Sequence, residues 1–188
     1  MSPIETWALA IFCRADAVVF GQRLRPLSLA HLLALRALEC RAAYGADEPH
    51  EMAVAAVVCS KTYEQIKRDI FADTKRAKKQ IEIMARRCNL KNLDSVRETL
   101  DRYFENGTLC PEHWEPVEKK AKGVRAPWEL HVARVLCGQY GYTLEEAMDC
   151  PAPLGRSLYD VYAESKGSDS LKTQEEHDAE MKLKAMAE

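Results

Sequence analysis

The fold is decided by residues 52–59, which read Met52-Ala-Val-Ala-Ala-Val-Val-Cys59. Every side chain in this stretch is apolar, and the preceding Asp47-Glu48-Pro49 is typical of a helix start, because proline is tolerated in the first helical turn. A helix that is apolar on all sides is surrounded by other elements of the same protein. The sequence therefore predicts a central helix around which the rest of the chain packs.

Both flanks of this helix also carry helical patterns. Ser28 is a candidate N-cap for a leucine-rich helix over 29–41, which Gly45 ends. Further along the chain, apolar residues at helical spacing follow Pro127, and Thr143-Leu-Glu-Glu146 has the form of a capping box. We predict an all-α fold, an irregular multi-helix bundle with one long central helix and a loosely attached C-terminal helix.

The N-terminal segment has the most ambiguous pattern. Its apolar residues predict a helix through Cys13, whereas Ala17-Val-Val-Phe20 is compatible with a helix or a short strand. Glu5 stands where a secretory signal would carry basic residues. No apolar run reaches the roughly 20 residues needed to cross a bilayer, so we expect neither export by that route nor a membrane-spanning segment.

The most regular pattern lies between Lys61 and Asn89. Apolar or small residues recur there every three or four positions, which places them on one face of a helix. At about 1.5 Å of rise per residue, a single helix over 63–88 would be roughly 39 Å long. We predict one continuous helix with this stripe: Tyr63, Ile66, Ile70, Thr74, Ala77, Ile81, Met84 and Cys88.

Composition divides the chain into four parts. Pro111, Pro116 and Gly123 fall in a stretch with few aliphatic side chains, which is typical of a long loop or linker. The last residues are highly charged, and little would hold them to the body of the protein. The predicted parts are an N-terminal helical core (1–107, including a long basic helix over 61–89), a linker (108–126), a C-terminal helical unit (127–167) and a charged tail (168–188).

Charge is distributed unevenly, although the formal net charge of the chain is only −2. Ten basic and four acidic residues give the segment 61–91 a net charge of +6. Such a run indicates a surface for phosphates or an acidic partner, although a solvated helix face is the commoner reason for it. The predicted basic surface comprises Lys67, Arg68, Lys75, Arg76, Lys78, Lys79, Arg86 and Arg87.

Motifs for catalysis or metal binding are missing from the sequence. The glycines have neither the spacing of a phosphate-binding loop nor that of a hydrolase nucleophile elbow. Cys110 and His113, with His131 downstream, come nearest to a metal site, but a tetrahedral site needs four ligands. The scattered cysteines without a C-x-x-C pair predict reduced thiols in a cytosol-like compartment. We therefore predict no catalytic residue, no cofactor and no bound metal.

Three stretches of the chain resemble tail assembly chaperones, which are small helical proteins of tailed phages and prophages. They are Leu24-Arg-Pro-Leu-Ser-Leu-Ala-His-Leu-Leu-Ala-Leu35, Val54-Ala-Ala-Val-Val-Cys-Ser60 followed by a long charged helix, and Pro127-Trp128 with Gly141-Tyr-Thr-Leu-Glu-Glu-Ala-Met-Asp-Cys-Pro151. The resemblance implies a non-enzymatic protein of the host cytoplasm. Such proteins bind the long, helical tape-measure protein before the tail tube polymerises around it, and they self-associate.

A helical client would need an apolar groove between helices of this chain. The leucine-rich helix 29–41 and the stripe on 63–88 are candidates for such a groove, although packing in the core is the commoner role of such faces. The alternative function is that of a nucleic-acid-associated phage protein, for packaging or regulation, using the basic helix 61–91. The predicted partner-binding residues are Leu29, Leu32, Leu33, Ile66, Ile70, Ile81 and Met84.

Overall fold

The computed structural model describes residues 17–45, 48–87, 93–109, 126–167 and 174–187. Within these ranges nine α-helices and one short β-hairpin confirm the predicted all-α class. The predicted helix through Cys13 lies outside them. The helices are α1 (Leu29–Ala37), α2 (Pro49–Cys59), α3 (Tyr63–Ile66), α4 (Thr74–Arg87), α5 (Leu93–Thr108), α6 (Trp128–Tyr140), α7 (Leu144–Asp149), α8 (Ala152–Ser165) and α9 (Gln174–Ala187).

The ambiguous segment before Gly21 forms a strand. Strand β1 (Val18–Val19) pairs antiparallel with β2 (Gln22–Arg23), and Val19 lies opposite Gln22. The two residues between the strands, Phe20 and Gly21, have φ values of 52° and 75°. Positive φ at both central positions is what a tight hairpin turn of the favoured hand requires. The local sequence therefore turns the chain back on itself before α1 begins.

Helix α2 is the centre of the core, as its composition predicts. All residues from Met52 to Cys59 are buried, and Val54 is the most exposed of them at 7%. Helices α1, α4 and α5 pack around α2, together with a 3₁₀ turn over Ala42–Tyr44. A helix without a polar face is stable only because neighbours cover it on every side.

The structure corrects the prediction of a single helix over 61–89. Helix α3 passes into a π-helical segment over Lys67–Ala72, and Asp73 then leaves helical geometry with φ −122° and ψ 72°. The Oδ1 atom of Asp73 accepts a hydrogen bond from the Arg76 backbone N–H at 3.1 Å, so the same residue also starts α4. An aspartate side chain that binds nearby backbone competes with a continuing helix in this way.

His31 joins the start of α1 to the end of α2. Its Nδ1 atom accepts a hydrogen bond from the Ser28 backbone N–H at 3.0 Å, and its Nε2 atom lies 2.8 Å from the Lys61 carbonyl oxygen. A carbonyl only accepts, so Nε2 carries the proton and the ring is neutral. Burial lowers the pKa of His31 from its usual value near 6.5 to about 4.

Helices α6, α7 and α8 pack directly on the N-terminal helices. Both α6 and α7 contact α1, and α8 contacts α5. The backbone of Leu27 accepts a hydrogen bond from the Ala152 N–H at 2.8 Å, beside an isolated bridge between Ser28 and Pro151. The described parts of 17–109 and 126–167 therefore share one hydrophobic core.

Helix α9 carries its large apolar side chains exposed. Leu183 is 68% and Met186 84% accessible, which agrees with a loosely attached C-terminal helix. In the ranges that the structure describes, α9 and the other helices all lack the combination of length and apolar character that crossing a membrane needs.

Asp149 at the end of α7 holds the start of α3. Its Oδ1 atom accepts a hydrogen bond from the Tyr63 backbone N–H at 2.7 Å, across 86 residues of sequence. We expect Asp149→Ala to lower the free energy of unfolding by about 1–3 kcal/mol, because it leaves a partly buried helix-end donor without an acceptor. Urea denaturation of the two proteins measures the difference.

The matched control for Asp149 is Glu145→Ala on the exposed side of the same helix. We expect its free energy of unfolding to stay within about 0.5 kcal/mol of the unmodified chain. Equal effects of the two substitutions would show that the contact between Asp149 and Tyr63 adds nothing to stability.

Candidate functional site

A pocket of about 560 Å³ opens between α1, the 3₁₀ turn and the start of α6. Leu32 and Leu35 of α1 line one side, and Tyr44 and Trp128 line others. Tyr44 is 83% exposed, so the pocket has an aromatic side chain at its rim. Pockets that bind ligands or partner side chains have this character, with mostly apolar walls and a few polar groups.

The end of α1 shapes one wall of this pocket. The Glu39 N–H donates to the Arg36 carbonyl at 3.0 Å, and the Cys40 N–H donates to the Leu35 carbonyl at 2.9 Å. These are the two bonds of a Schellman motif, which needs one residue in the left-handed conformation. That residue is Glu39, with φ 54°, although glycine is usual there. The sharp turn directs Cys40 and Arg41 along the pocket wall.

Glu129 supplies the most unusual polar group in the pocket. It lies in the first turn of α6 and is 1% exposed. Its Oε1 atom accepts a hydrogen bond from Arg36 Nη2 at 3.0 Å, across 93 residues of sequence. Its other oxygen, Oε2, is buried without a hydrogen-bond partner among the residues that the structure describes. Burying a carboxylate oxygen without a donor costs free energy, so the arrangement needs an explanation.

Carboxylates outnumber cations around the pocket. Arg41 is already held by Glu51, whose Oε2 accepts from the Arg41 backbone N–H at 2.7 Å and whose Oε1 lies 3.2 Å from Arg41 Nε. Glu48 lies 3.9 Å from the same guanidinium. Two guanidinium groups, of Arg36 and Arg41, and two carboxylates, of Glu39 and Glu129, line the pocket itself. Together with the carboxylates of Glu48 and Glu51, which bind Arg41 outside the lining, these six groups have a formal charge of −2.

The predicted partner-binding residues divide into two groups. Leu32 and Leu33 keep partly accessible surface, and Leu32 lines the pocket. The other five are buried in the core of the chain itself, because α4 packs on α2 and α1 lies between α2 and α6. A partner could reach them only if this packing opened. The five are Leu29, Ile66, Ile70, Ile81 and Met84.

Sequence reasoning missed Glu129, Arg36 and Trp128 as parts of one site. A usable signal was present, because Glu129 is three residues before Val132 and seven before Leu136, both buried on the same face of α6. A carboxylate on an apolar helix face indicates a partner for its charge. The identity of that partner depends on which helix packs there, so Arg36 could not be inferred.

The predicted basic surface covers the outer side of α4 and part of the π-helical segment. In that segment Lys67 pairs with Glu64 at 2.6 Å, and Arg68 pairs with Asp69 at 2.7 Å. Hydrogen bonds from Arg68 and Lys61 hold the pKa of Asp69 well below its usual range. Arg87 belongs to α4, but its side chain lies outside the described residues. The exposed cations of α4 are Lys75, Arg76, Lys78, Lys79 and Arg86.

The potential metal ligands and nucleophiles give no further site. Among the described residues no three or more His, Cys, Asp or Glu side chains are grouped so that they could hold a metal ion. Cys110 and His113, the residues predicted to come nearest to a metal site, lie outside those residues. Burial raises the pKa of the Cys40 and Cys150 thiols to about 11 and that of Cys59 to about 12. These thiols are protonated and unreactive near neutral pH.

Comparison of the chain with protein-family models, with curated proteins and with solved structures gave no match. The features of the described residues that bear on function are the pocket and the charged surface of α4.

Proposed function

We propose that the chain is a non-enzymatic binding protein of the tail assembly chaperone kind, which binds a helical client of the tape-measure type and also self-associates. The observation that supports client binding is the pocket between α1 and α6. Its volume of about 560 Å³ lies within the range of roughly 300–1,000 Å³ that is usual for binding pockets.

The geometry suits a helix that presents its side chains to the pocket. Leu32 and Trp128 come from two different helices, and each is partly accessible. An amphipathic helix binds such a groove by inserting residues spaced three or four apart along one face. Tyr44 at the rim adds an exposed aromatic surface of the type that is enriched in protein interfaces. The client helix would lie across the ends of α1 and α6.

Calorimetric titration with peptides of about 20 residues, tiled along a tape-measure-type protein encoded beside this chain, tests the proposal. We expect Leu32→Glu to weaken the binding peptides by about tenfold or more, because a charge replaces an apolar wall. The control Leu144→Glu alters a side chain that is 55% exposed on α7 and does not line the pocket. It should change the affinity by less than about twofold. Equal losses in both variants, or no binding peptide, would contradict the proposal.

The alternative function is nucleic-acid binding by the exposed cations of α4. Lys75, Arg76, Lys78 and Lys79 lie on one accessible stretch of this helix, which favours contact with phosphates. With Arg86 as the fifth exposed cation of α4, five phosphate contacts would weaken binding of a DNA duplex by roughly 500-fold between about 50 and about 200 mM salt. Binding of a client peptide in an apolar pocket should hardly change over the same range. The two titrations therefore separate the two functions.

A further inference from the structure

We propose that copies of this chain associate by packing helix α9 of one copy on the outer face of α4 of another copy. The proposal rests on the proposed function, because it assigns the two surfaces through which the chain self-associates. Side chains three or four positions apart share one face of a helix. The members of the two faces are Arg76, Lys79, Ile83 and Arg86 on α4, and Glu176, Ala179, Leu183 and Met186 on α9.

The first argument is that the two helices have opposite charge. Six basic residues and one acidic residue, Glu82, give α4 a net charge of +5. Four acidic residues and two basic residues, Lys182 and Lys184, give α9 a net charge of −2. Surfaces of opposite potential attract each other, and their charges determine which surfaces meet. The basic face of α4 therefore fits the acidic α9 and repels another α4.

The second argument is that each face has an exposed apolar side chain beside its charges. Ile83 is 42% exposed and lies between Lys79 and Arg86 on α4, and Leu183 and Met186 of α9 are more exposed still. Pairs of exposed charges contribute little by themselves, because water solvates each partner. Removal of apolar surface from water is the favourable term in most protein association. Contact between Ile83 and Leu183 would supply that term.

The third argument is that charged and apolar side chains follow the same order along both faces. Arg76 and Ile83 are seven residues apart, and so are Glu176 and Leu183. Seven residues span two helical turns, or about 10.5 Å. A parallel α9 that packs its leucine on Ile83 therefore places a carboxylate beside Arg76. One alignment satisfies the apolar contact and the ion pair together.

The accessibility of both faces indicates that the occupant is a second copy. The outer face of α4 is exposed in the folded chain, and no other described helix or strand packs extensively against α9. A chain with both faces accessible does not cover its own α4 with its own α9. A dimer in which two copies exchange their α9 helices would cover each face once, since a two-fold interface repeats the same contact.

Charge reversal tests the inference, with self-association of the full, nuclease-treated chain measured by analytical ultracentrifugation. The α4 variant has Arg76→Glu with Lys79→Glu, and the α9 variant has Glu175→Lys with Glu176→Lys. We expect each variant alone to self-associate about tenfold or more weakly, because like charges then face each other. A mixture of the two should associate to within about threefold of the unmodified chain, since each reversed face again meets an opposite charge.

The control for charge is Glu98→Lys with Glu105→Lys, which reverses two exposed glutamates of α5 that lie outside both faces. It changes the net charge as much as the α9 variant does. We expect it to change self-association by less than about twofold, because neither side chain lies in the contact.

A second pair of variants tests the apolar contact without placing lysines in the first turn of α9, where cations oppose the helix dipole. Leu183→Gln and Ile83→Gln should each weaken self-association by about tenfold, because each removes an apolar group from the contact. The control Val161→Gln alters a side chain that is 49% exposed on α8, and it should change self-association by less than about twofold. Circular dichroism verifies that every variant is folded, and this pair decides if lysines unfold α9.

An unmodified chain that stays monomeric, self-association that all these substitutions leave unchanged, or folded reversed variants that do not associate when mixed would each overturn the inference. These results are separate from the assignment of the client, which binds in the pocket between α1 and α6. A monomeric chain that binds client peptides would overturn the inference alone. Association that follows the charges of α4 and α9, together with no client peptide that binds, would overturn the client assignment and leave the contact between copies standing.

Discussion

Replacing Gly107 by alanine is expected to lower the free energy of unfolding by about 2–3 kcal/mol, because the new methyl group has no space. A Cβ atom built on Gly107 would lie 2.5 Å from Leu27 Cβ and 2.7 Å from Leu27 Cδ2. Both distances are far shorter than a carbon–carbon contact, which is optimal at about 3.5–4.0 Å. Either α5 or the segment that carries Leu27 must move to accept the substitution.

Neither element moves easily. Leu27 is 2% exposed, and its carbonyl accepts the Ala152 N–H at 2.8 Å. Tyr103, one turn before Gly107 on α5, donates its hydroxyl hydrogen to the Arg25 carbonyl at 2.8 Å, so a partly buried hydrogen bond joins the same two segments. Close-packed interiors of this kind transmit strain and do not absorb it locally. Helix α5 continues through Gly107 to Thr108, so Gly107 lies within the helix.

Gly138→Ala is the matched control for Gly107→Ala. Gly138 also lies within a helix, α6, but it is exposed, and a Cβ atom there would meet nothing within 4 Å. We expect this substitution to raise the free energy of unfolding by about 0.5–1 kcal/mol, because alanine favours the helix and restricts the unfolded chain. Urea denaturation followed by circular dichroism measures both variants. A Gly107→Ala variant as stable as the Gly138→Ala variant would contradict the close approach of α5 to Leu27.

Lowering the pH from about 7 to about 5 is expected to remove about 2 kcal/mol of stability through His31 alone. The imidazole is buried among α1, α2 and their connections, and burial lowers its pKa from near 6.5 to about 4. The nearby carboxylate of Asp149 opposes this shift, and the guanidinium of Arg25 adds to it. Protonation of the folded state would also place a donor at Nδ1, where the ring accepts the Ser28 N–H.

The direction in which stability changes with pH depends on whether the folded or the unfolded chain binds the proton. Between about pH 6.5 and about pH 4 the unfolded chain protonates His31 and the folded chain does not, so the folded state loses stability as the pH falls. The full contribution, reached near pH 4 and below, is roughly 3 kcal/mol for a difference of about 2.5 pKa units. Asp69 and Glu146, whose pKa values are lowered, lose their contributions at still lower pH.

His31→Gln isolates this effect from that of the other histidines. A glutamine at the third position of a helix can accept the N-cap N–H in a capping box, so it replaces the bond that His31 makes to Ser28. Free energies of unfolding measured between about pH 7 and about pH 5 should fall by about 2 kcal/mol less in the variant than in the unmodified chain. If the free energy of unfolding depends on pH in the same way in both proteins, His31 is not buried in its neutral form.

The elements that the sequence predicted correctly depend on interactions within a few residues. Helix α2 is buried from Met52 to Cys59 because every side chain in that segment is apolar. The capping box at Thr143 forms as predicted, with the Glu146 N–H donating to Thr143 Oγ1 at 3.2 Å and the Thr143 N–H donating to Glu146 Oε2 at 2.8 Å. Such contacts join positions three or four apart, and a single sequence displays them directly.

The apolar stripe over 63–88 shows where this reasoning ends. Its period is correctly helical, and Ile66, Ile70, Ala77, Ile81 and Met84 are buried, yet Asp73 and the preceding π-helical turns divide it. The spacing of apolar residues predicts which face of a helix is buried. It does not predict whether an aspartate side chain binds nearby backbone and so ends the helix.

By itself the sequence determined the helical class, the buried central helix and the caps, because each follows from side chains that are neighbours along the chain. The pocket could be found only from the tertiary structure. Arg36 and Glu129 are brought together from helices that are distant in sequence, and Gly107 meets Leu27 through the packing of α5. Long-range contacts of this kind depend on how the apolar faces of helices fit against each other, and many arrangements satisfy the same local pattern.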